Sequence, residues 1–357
     1  MDVSPFPFHG PLDPEQVVGR DDVIGELIEQ ITSRRPTALI APRRFGKTSV
    51  LRRVASELRP TSTVIEIDLY EIRSWADLAV RIDSGLAQVD ADARSKLSQI
   101  AATFELNLGV VKASITGRRR ADPDLTVDSL LDVIVTHARR TPTVVVFDEF
   151  SSIGRLDGAA GLLRTKLQHH YRQVGLVFAG SEPSTMRMLF SDADQPFFAQ
   201  ADLIELPGLD AATVHAVVAG GFGRAAPAGL ADRLVSFADG HPQRTMQLAD
   251  AAWRARDDAT DPDMVWESAL DAVRRAAASG FEMRFAAIPV AHQAVLRLVA
   301  TGEPLHGSAA EVLSLSSSSA ELAKRSLLDD GQITKDDHGL IVIDPVYADW
   351  LRNRFPL

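Results

Sequence analysis

The sequence predicts an α/β core built on a parallel sheet, then an all-α stretch, then a small module of three helices and a hairpin. Three observations carry this expectation. Up to Leu206, short β-branched or apolar runs alternate with helical patterns, as buried strands joined by crossover helices require. After "LPGLD" the strand runs stop and helical patterns alone continue from Ala211 to roughly Ala278. From about Phe285 the pattern reads helix, turn, helix, helix, and then an alternating run around a polar turn.

The five strand runs are Thr37–Ala41, Thr63–Leu69, Thr143–Glu149, Gly175–Ser181 and Leu203–Leu206. An amphipathic helix is expected over 48–58, directly after the first. Between the second and third runs lies an insertion, roughly Ala87 to Asp124. Part of it, "FELNLGVVKASITGRRR", alternates and ends in glycine and three arginines, which predicts a hairpin or edge strand. The helical stretch is broken at Gly240-His241-Pro242. In the last part, helices are expected at Ala291–Ala300, Ser308–Leu313 and Ser318–Asp329, followed by a hairpin in "GQITKDDHGLIVID". Three helices and a hairpin make the winged-helix order. The expected domains are therefore 1–208, 209–282 and 283–357.

Composition narrows the function classes. With 45% hydrophobic and 24% charged residues over 357 positions, the chain should bury a large core in two or three domains. It has no cysteine, which excludes disulfides, zinc–thiolate sites and thiol nucleophiles. The opening "MDVSPFPFHG" lacks a basic start and an apolar run, and no apolar stretch has the length of a bilayer span. A cytoplasmic protein with no membrane association is the expectation. A net charge of −10 argues against a chain whose main role is to coat nucleic acid.

Chemistry concentrates first in "APRRFGKT", Ala41 to Thr48. Against the phosphate-loop pattern G-x-x-x-x-G-K-[ST] it matches at Gly46, Lys47 and Thr48, with Ala41 in place of the first glycine. Such a loop turns backbone amides toward phosphate, sends lysine to the β- and γ-phosphates and offers a hydroxyl to magnesium. Pro42, Arg43, Arg44, Phe45, Gly46, Lys47, Thr48 and Ser49 are the candidate binding residues, with the following helix aiming its positive end at the anion. Alanine fits the first position if φ there is negative.

The second element is "TVVVFDEF", an apolar strand ending in Asp148-Glu149. Asp148 is the candidate magnesium ligand with Thr48, and Glu149 the residue that orients or deprotonates the attacking water. The third is "GLVFAGSEPSTM", a strand ending in small polar residues. In the additional-strand branch of P-loop ATPases a strand lies between the loop strand and the acidic strand, and its last polar residue reaches the γ-phosphate and the water. Ser181 is the candidate for that role, and also for the N-cap of the following helix.

Taken in order, "SPFPFHGPLDPEQVVGRDDVIGEL", "APRRFGKTSVL", "VVVFDEF", "VFAGSEPSTM", "ADGHPQRTMQLA" and the terminal "IDPVYADWLRNRF" resemble the archaeal-type ATPases of the STAND class (signal-transduction ATPases with numerous domains), within the wider AAA+ group. The likeness covers nearly the whole chain. It implies a P-loop NTPase core of the additional-strand type, an all-α lid and a winged-helix domain, with ATP or ADP and Mg2+ as cofactors. It places Val18, Gly19 and Arg20 near the adenine. It also implies that the lid motif Gly240, His241, Pro242 packs against nucleotide, with Arg244 in reach of phosphate. The residues alone leave a second reading, in which His241 and Arg244 are solvated side chains at a helix start.

One departure matters. Members of the class often carry an arginine before the last core strand, where this chain has "QPFFAQADLIEL" and Gln200. Glutamine cannot neutralise developing charge, so hydrolysis is expected to be slow, or completed by another arginine such as Arg155, Arg164 or Arg187. The last part, 285–357, holds six basic and nine acidic residues, a net of −3. Its would-be recognition helix offers only Lys324 and Arg325. A packing role or protein interface therefore suits it better than DNA. Arg118-Arg119-Arg120 is the strongest local basic run, which reads as a solvated turn or the lining of a pore.

The leading expectation is a nucleotide-controlled switch that hydrolyses ATP slowly, with a protein partner or self-association. Two alternatives stand beside it: a DNA-associated AAA+ loader or regulator, and an inactive scaffold that holds nucleotide.

Overall fold

The computed structural model describes residues 3–112, 122–256, 261–336 and 339–357. The chain forms two compact units, one of Asp13–Ala41 and Lys47–Leu206, the other of Met1–Leu12, Pro42–Gly46 and Pro207–Leu357.

In the first unit all five expected strands form: β1 (Thr37–Ile40), β2 (Thr63–Asp68), β3 (Thr143–Asp148), β4 (Val174–Gly180) and β5 (Asp202–Glu205). They pair in parallel in the order β2-β3-β4-β1-β5. β4 thus lies between the loop strand β1 and the acidic strand β3, which is the additional-strand arrangement of a P-loop NTPase core. All seven residues of β4 are buried, as a central strand covered on both faces requires.

The helices of this unit are α1 (Asp21–Thr32), α2 (Lys47–Leu58), α3 (Trp75–Ala87), α4 (Ala91–Thr103), α5 (Pro123–Ala138), α6 (Ala159–Leu167) and α7 (Pro183–Ser191). Alternation along the strands sorts the core. Ile40, Ile65, Ile67, Val145 and Phe147 share one apolar cluster with α3 to α7. On the other face Ile31 of α1 lies close under Gly175 of β4. Phe147 of β3 and Phe178 of β4 interlock with Phe150, Phe190 and Phe197 from the chain that follows these strands, with centroids 4.7–6.0 Å apart. Such aromatic pairs add about 1 kcal/mol each beyond burial, so the chain that follows both strands starts from a rigid base.

The expected hairpin in the insertion does not form where it can be seen. Phe104–Lys112 holds no strand; the Asp83 carboxylate of α3 accepts the amides of Gly109 (2.8 Å) and Val111 (3.3 Å), taking donors that a ladder would use. The rest of that segment, with Arg118, Arg119 and Arg120, lies outside the described residues.

The second unit is helical: α8 (Ala211–Phe222), α9 (Leu230–Ala238), α10 (Pro242–Ala255), α11 (Pro262–Ala287), α12 (Val290–Thr301), α13 (Ser308–Val312), α14 (Ser317–Asp329) and α15 (Pro345–Arg354), with an antiparallel pair β6 (Ile333–Asp336) and β7 (Gly339–Val342). The winged-helix order of three helices and a hairpin is present in α12–β7. α11 runs on to Ala287, past the boundary expected between 282 and 283. The helix starts follow a common recipe: Asp210, His241, Asp261, Ser316 and Asp344 each accept an amide of the first turn. Proline opens α10, α11 and α15.

One apolar core runs through this unit, from Phe6 and Leu234 through Leu248, Val273 and Phe281 to Val295, Leu327 and Tyr347. The lead-in segment belongs to it: Phe6 is buried against Phe222 (5.0 Å) and Trp253 (6.2 Å), and Gln243 donates to the Phe8 carbonyl.

Candidate functional site

In the first unit the catalytic candidates converge at the carboxyl ends of the strands. β3 ends at Asp148, and Glu149 turns the chain with φ 52°, a left-handed conformation costly for a side chain with Cβ. Its amide donates to Asp148 Oδ1 at 2.9 Å, and Phe150 anchors the next step in the phenylalanine cluster. Strain of this kind, held by rigid packing, collects at functional positions.

Lys47, the first residue of α2, is buried and donates to the carboxylates of Asp148 and of Glu149, the latter at 3.2 Å. Thr48 Oγ1 donates to Asp148 Oδ2 at 3.2 Å. Because β4 pairs with β3 in register, Phe147 opposite Phe178, the residue after β4 comes beside the residue after β3. Ser181 Oγ accordingly donates to Glu149 Oε2 at 2.7 Å. The cap position of α7 belongs to Glu182, so the N-cap reading of Ser181 falls away. Ser49 is buried one position beyond Thr48. Val18 is half exposed, Gly19 has φ 64°, and Arg20 is buried at the start of α1.

The missing glycine is explained by the backbone. The residues with positive φ in and around the loop are Arg44 (71°) and Gly46 (89°), and Ala41 is not among them. Ala41 is fully buried at the end of β1, its amide donating to the Gly180 carbonyl at 3.3 Å. A methyl group costs nothing there. At Gly46 a Cβ would meet no atom within 4 Å, so glycine is needed for its φ and not for space.

The second unit holds the loop residues Pro42–Gly46 together with the lid motif. Phe45 lies on His241, ring centroids 5.1 Å apart. Gly240 has φ 70°, and a Cβ there would stand 2.7 Å from the Leu209 carbonyl oxygen, so only glycine makes this turn. His241 Nδ1 then accepts the Arg244 amide at 3.3 Å and caps α10, with Pro242 in its first turn. Burial lowers the His241 imidazole to about 4, so it is neutral and able to accept that bond.

Arg244 is not solvated, as one reading of the sequence had it, but buried. Its Nε and Nη2 donate to Asp344 Oδ1 and Oδ2 at 2.9 and 2.5 Å. Arg44 Nη1 stands 3.9 Å from the same carboxylate. Burial, then the charges of Arg244, Arg284 and Arg43, lower the Arg44 guanidinium; Asp344 opposes them. At Asp344 burial, the largest single effect, raises the carboxyl, but the hydrogen bond and charge of Arg244, with His241 and the Tyr347 amide, together outweigh it and the net shift is downward. Asp344 and Arg284 were missed in the sequence. An aspartate before Pro345 signals a helix N-cap, but nothing local tells that the cap also meets Arg244.

The arginines considered in place of Gln200 are differently disposed. Arg155 donates to Glu182 at 2.7 Å and Arg187 to Glu205 at 2.7 and 2.9 Å, while Arg164 Nε is buried without a hydrogen-bond partner. Gln200 Nε2 donates to the Phe198 carbonyl.

No family model and no curated protein matches the chain. Solved structures do. The chain is similar to the Walker-type ATPase PABY2304 of Pyrococcus abyssi, with TM-score 0.74 and 19% identity over 98% of this chain and 99% of that one. It is also similar to the Aeropyrum pernix ORC2 protein in its ADPNP–ADP complexes (TM-score 0.60, 14% identity, 98% and 96% covered). A third is the Aeropyrum pernix ORC1 protein in complex with DNA (TM-score 0.51, 14% identity, 98% and 94% covered). At these identities the likeness establishes the fold, that of a P-loop NTPase core followed by helical elements.

Proposed function

We propose that this chain binds ATP and ADP with magnesium on the loop Pro42–Ser49 and acts as a nucleotide-controlled switch with slow ATP hydrolysis. The observation that carries this reading is the convergence of Lys47, Thr48, Asp148, Glu149 and Ser181 from three parts of the sequence into one hydrogen-bonded set. The P. abyssi neighbour, itself described as a Walker-type ATPase, supports it.

In this reading Lys47 moves from the two carboxylates to the phosphates, with the N-terminus of α2 behind them. The Thr48 hydroxyl and Asp148 carboxylate adjoin as hard oxygen donors, a set suited to Mg2+ and poorly suited to softer metals. Bound there, the ion would neutralise phosphate charge. Glu149 takes the proton of the attacking water while Ser181 holds its carboxylate in one orientation. Val18, Gly19 and Arg20 are assigned to the base, and His241, Pro242 and Arg244 to the lid, 209–282, that senses the loop. The loop packs on His241 through Phe45 and faces Asp344 through Arg44, so a phosphate on it changes the environment of both. Gln200 in place of an arginine supports slow turnover that a protein partner or self-association completes.

DNA is the weaker partner. The ORC1 neighbour is described with DNA, but here the exposed face of α14 mixes Ser318, Glu321, Leu322, Arg325 and Asp329. Unretarded DNA in a gel shift at physiological salt, with and without ATP, is expected. Titration calorimetry with Mg-ATP tests the main reading: Lys47→Ala should lose binding, and affinity equal to the parent protein would overturn it.

A further inference from the structure

Glu149 and Ser181 sit in a closed ring of contacts within the α/β unit. β3 hands Glu149 on to a short 3₁₀ helix, Phe150–Arg155, and β4 hands Ser181 on to Glu182, the cap position of α7. Where these two segments begin, Ser181 Oγ donates to Glu149 Oε2 at 2.7 Å. At the far end of the 3₁₀ helix, Arg155 Nη2 donates to Glu182 Oε1, also at 2.7 Å. The path therefore closes: Glu149 leads through the 3₁₀ helix to Arg155, across to Glu182, back one residue to Ser181 and across to Glu149.

Both segments rest on firm packing. Phe150 meets Phe178 of β4 at 4.7 Å and Phe190 of α7 at 5.9 Å. A Cβ at Gly180 would collide with the Met186 side chain, so α7 lies close over the end of β4. The second oxygen of Glu182 accepts Thr185 Oγ1 at 3.2 Å, which leaves Oε1 directed to Arg155. Arg155 is more than half exposed and Glu182 largely buried. An ion pair open to water on one side adds little to stability. This one, however, spans the two segments whose relative placement decides where the Glu149 carboxylate points. A shift on the order of 1 Å in a reacting group can cost about 10² in rate.

We propose that Arg155 and Glu182 are positioning residues for ATP hydrolysis: their ion pair keeps Ser181 on Glu149 and so fixes the direction in which Glu149 takes the proton of the attacking water. Neither residue does chemistry; both act through Ser181. The inference rests on the ATPase reading proposed above, and it commits Arg155 to its own chain's base instead of a neighbour's phosphate.

The test is single-turnover phosphate release, with Mg-ATP affinity by calorimetry and melting temperature measured on the same proteins. Arg155→Ala and Glu182→Gln should each lower release on the order of five-fold, with affinity within about two-fold of the parent and melting temperature nearly unchanged. The swapped protein, Arg155→Glu with Glu182→Arg, should recover most of the rate that either reversal loses alone. In a Ser181→Ala background Arg155→Ala should cause no further loss, because the pair works through that hydroxyl. A parent that hydrolyses ATP, with Arg155→Ala at the same rate, overturns the inference and leaves the ATPase reading intact. So does a loss that adds in full to that of Ser181→Ala. Should the swapped protein fail to fold, the exposed Arg155→Ala change and its Ser181→Ala cycle decide alone. A parent that releases no phosphate overturns both readings.

Discussion

Ser181 and Glu149, thirty-two residues apart in sequence, are joined by a 2.7 Å hydrogen bond because β4 lies beside β3 in parallel register. The hydroxyl takes one carboxylate oxygen and leaves the other, Oε1, facing Lys47 at 3.2 Å. A base held on one oxygen presents its remaining lone pairs in one direction.

From this follows a graded loss of turnover. Glu149→Gln should lower phosphate release from ATP by roughly 10²–10⁴ while nucleotide still binds, because amide nitrogen and oxygen cannot take the proton. Ser181→Ala should lower it less, about ten-fold, and leave the ATP affinity near that of the parent. Single-turnover release and equilibrium binding, measured side by side, separate the two effects. Equal losses in both variants would mean that Ser181 acts on the phosphate directly.

The loop gives a prediction opposite to what its pattern suggests. Ala41→Gly restores the familiar motif but should bring no gain in nucleotide affinity, and should cost about 0.5–1 kcal/mol of stability through added backbone freedom. Gly46→Ala, in contrast, forces a Cβ residue to φ 89° and should cost about 1–2 kcal/mol. Chemical denaturation of the two variants distinguishes them, and an affinity gain in Ala41→Gly would show that the methyl group obstructs phosphate.

These two cases show how much the sequence disclosed. The five strands and the lysine, threonine and acidic pair were legible because buried parallel strands read as unbroken apolar runs and because the motif residues are local; of the strand order, only the place of β4 between β1 and β3 was expected, from the likeness to additional-strand P-loop ATPases. Over Phe104–Lys112 the alternation predicts strand, but Asp83, placed on α3, takes the amides of Gly109 and Val111. Asp344 was invisible for a similar reason: its partner Arg244 lies a hundred residues away, and only the shared core of α10, α11 and α15 brings them together.

Acid should weaken the fold in a definite window. The buried His241 imidazole lies at about 4 in the folded chain against about 6.5 when unfolded, so the unfolded state binds the extra proton first. Its contribution is fully present above pH 6.5, is lost as pH falls from 6.5 toward 4, and changes no further below that. The total is on the order of 3 kcal/mol. Asp344, held below its ordinary value, contributes stability lost only at lower pH. His241→Asn keeps a capping side chain and should flatten the 6.5–4 limb of a melting-temperature profile. A limb unchanged in the variant would assign it to another group.

Two ion pairs of the helical unit differ in burial and should differ in worth. Arg244 is buried with Asp344, while Arg274, more exposed, makes two 2.8 Å bonds to Asp349. Arg244→Ala leaves a buried carboxylate uncompensated and should cost about 3–5 kcal/mol. Arg274→Ala should cost less, about 1–2 kcal/mol, since Arg274 is itself partly exposed and its removal opens the otherwise buried Asp349 carboxylate to water. Urea denaturation orders them, and similar losses would mean that Asp344 finds a second partner in Arg44.

Turnover should also report what Gln200 withholds. Its side chain donates to the Phe198 carbonyl, and Arg155 and Arg187 are each committed to a glutamate. If a neighbouring copy completes the site, Gln200→Arg should raise phosphate release per molecule by ten-fold or more, increasingly so as protein concentration rises. The parent should stay slow across the same dilution series. A uniform increase independent of concentration would place the new arginine at its own chain's nucleotide. No increase at any concentration would direct the search to Arg164, whose Nε is buried without a hydrogen-bond partner.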